Sequence, residues 1–251
     1  MRTLAALLAF ILLLLAALAI FAPATLLEAR FDSATQGHLQ LADTAGTVWK
    51  GRGLVTNAQR TWSLPVSWDI DQLALVRGDV AIRLHAPSGG DLPRGDIAQR
   101  NATLILDGVV FALPASALSG TMTPGETMAL GGTLAFDAPH LSWNGQAGDG
   151  TATVQWSGAR VAGSAATLAL GTVTVSFASR EGRLQGRIEN HGGDVRIDGE
   201  LTLSGESIAA SATLAPLPST PPSAMRALGA LGTPDASGAV RVQWRGGSRK
   251  T

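Results

Sequence analysis

Apolar side chains return at every second position in register after register along this chain, and that period limits what it can fold into. Trp62, Leu64, Val66 and Trp68 fall on one side of an extended segment, as do Val80, Ile82 and Leu84, and Val173, Val175 and Phe177. The longest register runs through Val195, Ile197, Gly199, Leu201 and Leu203, and another through Ile208, Ala210, Ala212 and Leu214. Successive residues of a strand point to opposite faces, so this spacing describes strands with one buried and one wet face. Turn signals such as Glu189-Asn190-His191-Gly192-Gly193 separate the runs. The expected fold is mainly β: an antiparallel meander forming a sandwich or half-open barrel. A loop is expected near 86–95, with Pro87 and Pro93 as breakers, and a pair of strands within 103–111 around an Asp107-Gly108 turn.

Four of the six tryptophans share the phrase Trp-x-Gly: Trp49-Lys50-Gly51, Trp143-Asn144-Gly145, Trp156-Ser157-Gly158 and Trp244-Arg245-Gly246. The phrase reads as an aromatic closing a strand and a glycine releasing the chain. An indole also offers an apolar face and one N–H donor, so ligand contact is the rival reading; packing at a sheet rim is the commoner one. The phrase recurs from residue 49 to 246, with no strict repeat and no linker. One β-rich domain over 37–251 is therefore expected.

The chain begins differently. Leu4 to Ala22 is an unbroken apolar run, preceded by Arg2 and followed by Pro23. At 1.5 Å per residue it spans about 28 Å as a helix, close to the hydrocarbon thickness of a bilayer. A cleaved signal peptide is the alternative, but its apolar core is shorter and Pro23 lies between the small residues at the cleavage position. The expected layout is a cytoplasmic stub at 1–3, a transmembrane helix at 4–22 and a juxtamembrane helix at 23–36. A second short helix is expected near 221–231, capped by Thr220, with Met225, Leu228 and Leu231 as its apolar stripe.

Composition excludes several functions. Acidic and basic residues are equal in number, 19 each, and the basic ones are scattered singly, so no basic field exists to engage nucleic acid. The absence of cysteine removes disulfides and thiol chemistry. His38, His85, His140 and His191 stand at least 47 residues apart, without ligand spacing. No nucleophile elbow or phosphate loop is present, so no catalytic, cofactor or metal residues are assigned.

In order, these phrases resemble the type II secretion system protein N family, also called general secretion pathway protein N. The likeness rests on Gly37-x-Leu39-x-Leu41 leading into Gly46-Thr47-Val48-Trp49-Lys50-Gly51. It continues through Trp156-Ser157-Gly158 and Asn190-His191-Gly192-Gly193-Asp194 to Gly199, then Gly232 to Asp235, Gly238, and the strand through Trp244-Arg245-Gly246. Gly46, Val48, Trp49, Gly51, Trp156, Gly158, Asn190, Gly192, Gly193, Gly199, Gly232, Gly238 and Gly246 would then be structural signature positions. The resemblance implies a non-catalytic inner-membrane protein with a periplasmic β-rich domain, working with other envelope proteins of the secretion machine. A half-open apolar groove handling envelope lipid is the alternative.

Overall fold

The computed structural model describes residues 21–35, 37, 39–87, 90–118, 129–163, 166–204 and 207–247. Residues 4–20 of the expected membrane segment and His38 lie outside them. Among the described residues no helix is long and apolar enough to cross a membrane. The chain divides into two compact units, residues 1–93 and 94–251. Within each unit the strand order is the chain order and the neighbouring strands described below pair antiparallel. The expected meander is therefore present, as open sheet without crossovers.

The first unit holds β1 (Gln40–Gly46), β2 (Lys50–Thr56), β3 (Ser63–Ile70) and β4 (Val80–His85). Helix α1 (Thr25–Ala34) precedes them and α2 (Gln72–Val76) links β3 to β4. Leu64, Val66 and Trp68 of β3 gather with Leu41, Ile82 and Leu84 in one apolar cluster, as the period of two requires. Leu27 and Phe31, four apart and so on one side of α1, pack against the same cluster. The Thr44 hydroxyl donates to Glu28 Oε1 at 2.6 Å and ties the helix to β1. The turn between β1 and β2 is held from β3, where Trp68 Nε1 donates to Val48 O at 3.0 Å. A Cβ on Gly51 would stand 2.6 Å from the Trp68 ring, so that approach needs glycine.

The second unit holds β5 (Arg94–Arg100), β6 (Thr103–Pro114), β7 (Ala129–Trp143), β8 (Gly148–Ala162) and β9 (Thr167–Arg180). It continues with β10 (Arg183–His191), β11 (Val195–Ser204), β12 (Ser207–Pro216), helix α3 (Pro222–Leu231) and β13 (Val240–Gly247). A 3-10 turn at Ala115–Leu118 follows β6. Pairing aligns the predicted registers: Val175 faces Val154 and Ile188, Gly186 faces Phe177 and Leu201, and Leu214 faces Ile197 and Val240. One apolar face therefore runs across β8 to β13. Helix α3 covers one end of it, where Ala224 and Leu228 are fully buried against Leu170, Val195, Ile197, Leu214 and Val240.

Several expectations are corrected. Residues 103–111 are not two strands: β6 runs unbroken through Asp107-Gly108, with Gly108 at φ +58° and a register slip against β5 between Arg94 and Asp96. Its pairing with β7, from Leu104 opposite Trp143 to Pro114 opposite Thr133, outweighs the local turn preference. The loop near 86–95 ends earlier, because β5 begins at Arg94. Helix α3 buries Ala224, Leu228 and the flanks of Ala227 and Leu231, while Met225 is exposed. Thr220 does not cap it. Its hydroxyl accepts from Leu217 N (2.7 Å) and donates to Asp194 O (2.5 Å), and the capping position is Pro221.

Candidate functional site

The signature positions are placed mostly where the backbone turns or slips. Trp-x-Gly closes a strand once, at Trp143, the last residue of β7, with Gly145 in the turn beyond at φ +87°. The other three copies correct the expectation. Trp49 lies in the turn before β2, and Gly51 belongs to the strand it opens. Trp156 lies inside β8, where Gly158 (φ +60°) accommodates a slip against β9 between Trp156 and Ala159. β8 continues past the bulge because long neighbours keep pairing on both sides. Trp244 lies inside β13, and Gly246 still pairs with Ile208. The Trp156 indole is spent internally, donating to Gly131 O at 2.8 Å.

The turn from Asn190 to Asp194 is the most heavily bonded of these positions. Asn190 Nδ2 lies 2.9 Å from Leu170 O, 3.0 Å from Gly192 O and 2.8 Å from Val195 O, and its Oδ1 accepts from Ile197 N at 2.7 Å. Asp194 and Ala169 bond reciprocally, backbone to backbone and backbone to carboxylate. Gly193, at φ +88°, lets the turn lie against the Leu170 backbone. The turn between β10 and β11 is thereby fastened to β9, and through Thr220 to the approach to α3. Gly199 sits between Ile188 and Ala212 in the ladder, Gly232 follows α3, and Gly238 completes the turn into β13. Asp235 holds that turn: its Oδ1 accepts from Ser237 Oγ (2.6 Å), Ser237 N (2.8 Å) and Ala239 N (3.1 Å). Those bonds, the Ser237 hydroxyl first, hold its carboxyl below the ordinary aspartate value of 3.8.

Among the surfaces that the described residues of the second unit offer to other molecules are a polar cavity and a strand edge. The wet face of β8 to β11 carries a shallow cavity of about 560 Å³ lined by Gln155, Thr174, Arg187, Glu189, Arg196 and Asp198. Arg187 reaches Glu189 and Asp198 at 3.7 and 3.6 Å, exposed pairs of little energetic weight. That lining suits hydrated polar groups, not acyl chains. The second surface is the edge of β13, which among the described residues pairs with β12 alone. Exposed Arg241, Gln243 and Arg245 line it, and Trp244 is 50% exposed. An unpaired row of backbone donors and acceptors is a template for a further strand.

One pairing was not legible beforehand. His140 Nδ1 hydrogen-bonds Asp107 Oδ1 across β6 and β7, with both side chains about half exposed. The two residues are 33 apart, and only the β6–β7 register brings them opposite. His85 and His191 stand exposed at the ends of their strands. Among the described residues no group of three or more His, Asp or Glu side chains could hold a metal ion.

Fold and surface together define a class: an antiparallel strand ladder whose polar signature groups are used within the scaffold, with an open edge at its end. Residues 37–243 match the family described as type II secretion system (T2SS), protein N, and the chain belongs to that family. It is thus a type II secretion component, of a non-enzymatic family associated with the cell envelope. No curated protein and no solved structure matches it.

Proposed function

We propose that this protein is a non-catalytic, single-pass inner-membrane component of the type II secretion system. Residues 4–22 anchor it with the N-terminus inside, and the body from 37 to 251 lies in the periplasm. There it supports export of folded proteins across the outer membrane through contacts with other envelope proteins of the system. The observation that carries this reading is the edge of β13, which among the described residues is paired on one side only and bears a half-exposed tryptophan, and so suits strand addition by a partner. The signature residues serve the scaffold in this reading, and the partner meets the edge.

A photo-crosslinking residue at Gln243 in living cells tests the proposal. Capture of a type II secretion protein is expected, and the same residue at Arg180 should capture none. Deleting the gene should strand exoproteins in the periplasm and leave envelope lipid composition unchanged. Normal secretion in the deletion strain, with phospholipid co-purifying with the protein, would transfer the case to the lipid-handling alternative.

A further inference from the structure

Helix α2 buries the wrong residue for a helix that only links two strands. Of Leu73, Ala74, Leu75 and Val76, the alanine is buried, while Leu73 is 70% and Val76 85% exposed. Leu75 is also exposed. Large apolar side chains held in water on a short link, with the small one tucked inside, mark a surface that meets something apolar. The helix is firmly built: Asp71 Oδ1 accepts from Leu73 N at 2.8 Å, and Asp71 N donates to Ala81 O at 2.9 Å.

Topology places this helix at one particular end of the first unit. β1 runs toward the turn at Thr47–Trp49, and β3 runs the same way, with Lys50 opposite Asp69 and Gly51 opposite Trp68. Ile70 N donates to Trp49 O at 2.6 Å, and α2 begins two residues later. The apolar run of residues 4–22 arrives at that same turn. Val48 N donates to Ala22 O at 2.8 Å, Pro23 bridges Thr47, and Ala24 N donates to Gly46 O at 3.1 Å. Phe21, 74% exposed, and Leu26, 57% exposed, flank this junction. The last residue of the apolar run, Ala22, is itself bonded to the turn, so no slack separates them. Consecutive Cα atoms are only about 3.8 Å apart. A bilayer crossed by residues 4–22 therefore has its headgroup layer against this end of the unit.

From this we infer that the end of the first unit formed by α2, the β1–β2 turn and Phe21 is a membrane-docking tip. Leu73, Leu75 and Val76 enter the interfacial layer of the phospholipid bilayer beside the anchor. The inference rests on the reading of residues 4–22 as a membrane span. It adds a second contact, which fixes the unit against the lipid surface so that it does not pivot on a single strand of chain.

The native chain has no cysteine, so single labels are unambiguous. Full-length L12C, V76C and R180C variants, each carrying a nitroxide, would be reconstituted into vesicles of phosphatidylethanolamine and phosphatidylglycerol. Collision with oxygen, which partitions into lipid, is compared with collision with a water-soluble nickel chelate. The expected result is an oxygen-to-nickel ratio at position 76 severalfold above that at position 180, with position 12 higher still. A label at 76 that behaves like the one at 180, while position 12 reports lipid, overturns the docking tip and leaves the anchor standing. Shielding of position 76 from both reagents also overturns it, because protein would then cover the helix. If position 76 reports lipid and position 12 water, the span is wrong and the lipid contact holds. Water at both positions overturns both.

Discussion

Each unit lays one helix on its sheet, and the two do so with different thoroughness. In the first unit α1 leans on the strands with Leu27 and Phe31, and none of its residues is fully buried. In the second, α3 drives Leu228 and Ala224 into a cluster that includes the fully buried Val195 and Val240. The polar work differs in the same direction. Among the described residues a threonine–glutamate side-chain bond and the Ala24 backbone tie α1 to β1, whereas the Asn190 amide and the Asp194 carboxylate fasten the turn beneath α3 to β9. If residues 4–22 anchor the chain as proposed, α1 needs less packing of its own, because the anchor already limits where it can go. A helix late in the chain must close the apolar face by packing and hydrogen bonding.

The contrast can be broken most forcefully at Leu228. Truncation with L228A should cost about 3–4 kcal/mol and accelerate hydrogen exchange in β9, β11 and β13 while sparing β1 to β3. Equal loss of protection in both units would erase the distinction. Next in size, N190A leaves up to three carbonyls and one amide without their partner and should cost about 2–3 kcal/mol, read from urea unfolding of the full chain in detergent. A loss as small as that of an exposed surface substitution would remove the turn from the comparison. Phe31, only half-buried, should matter less: F31A is expected to cost about 1–2 kcal/mol, with faster exchange confined to the first unit.

The smallest effect concerns acid. The folded pKa of Asp235 is depressed, so its contribution is fully present above the ordinary value of 3.8 and disappears as pH falls through the lower folded one. The amides of Ser237 and Ala239 should lose protection in that window, and D235N should blunt the change. Protection that is flat through the acid range would show that the turn does not depend on the carboxylate.

The alternating registers were legible because each strand keeps one face wet, and Arg196, Asp198 and Glu200 announce that face between Val195 and Leu201. The family phrases were legible for a related reason: glycines at slips and turns have few substitutes, as at Gly158 and Gly193. Bulges were not legible. Asp107-Gly108 satisfies the local rule for a hairpin turn, and only the pairing partner on β7 decides against it. Met225 misled similarly, since a helical stripe is ambiguous by one position until the covered surface is known, and here that surface selects the alanines. The candidate edge was the least readable feature. Which strand lacks a neighbour is a property of the whole ladder, and no residue of β13 states it.

Sequential strand order also governs how such a molecule can be made and dismantled. After the first strand of each unit, every strand pairs with the strand that precedes it in the chain, so no piece waits for a partner from further along, and the longest interval, residues 217–239 with α3, comes before β13. A chain emerging N-terminus first could zip up one rung at a time, each new strand briefly serving as the growing end. Shortening it from the C-terminus would remove rungs without gutting the middle. Among the described residues β13 is the final rung, so its pairing with β12 and the presentation of its other edge are one event.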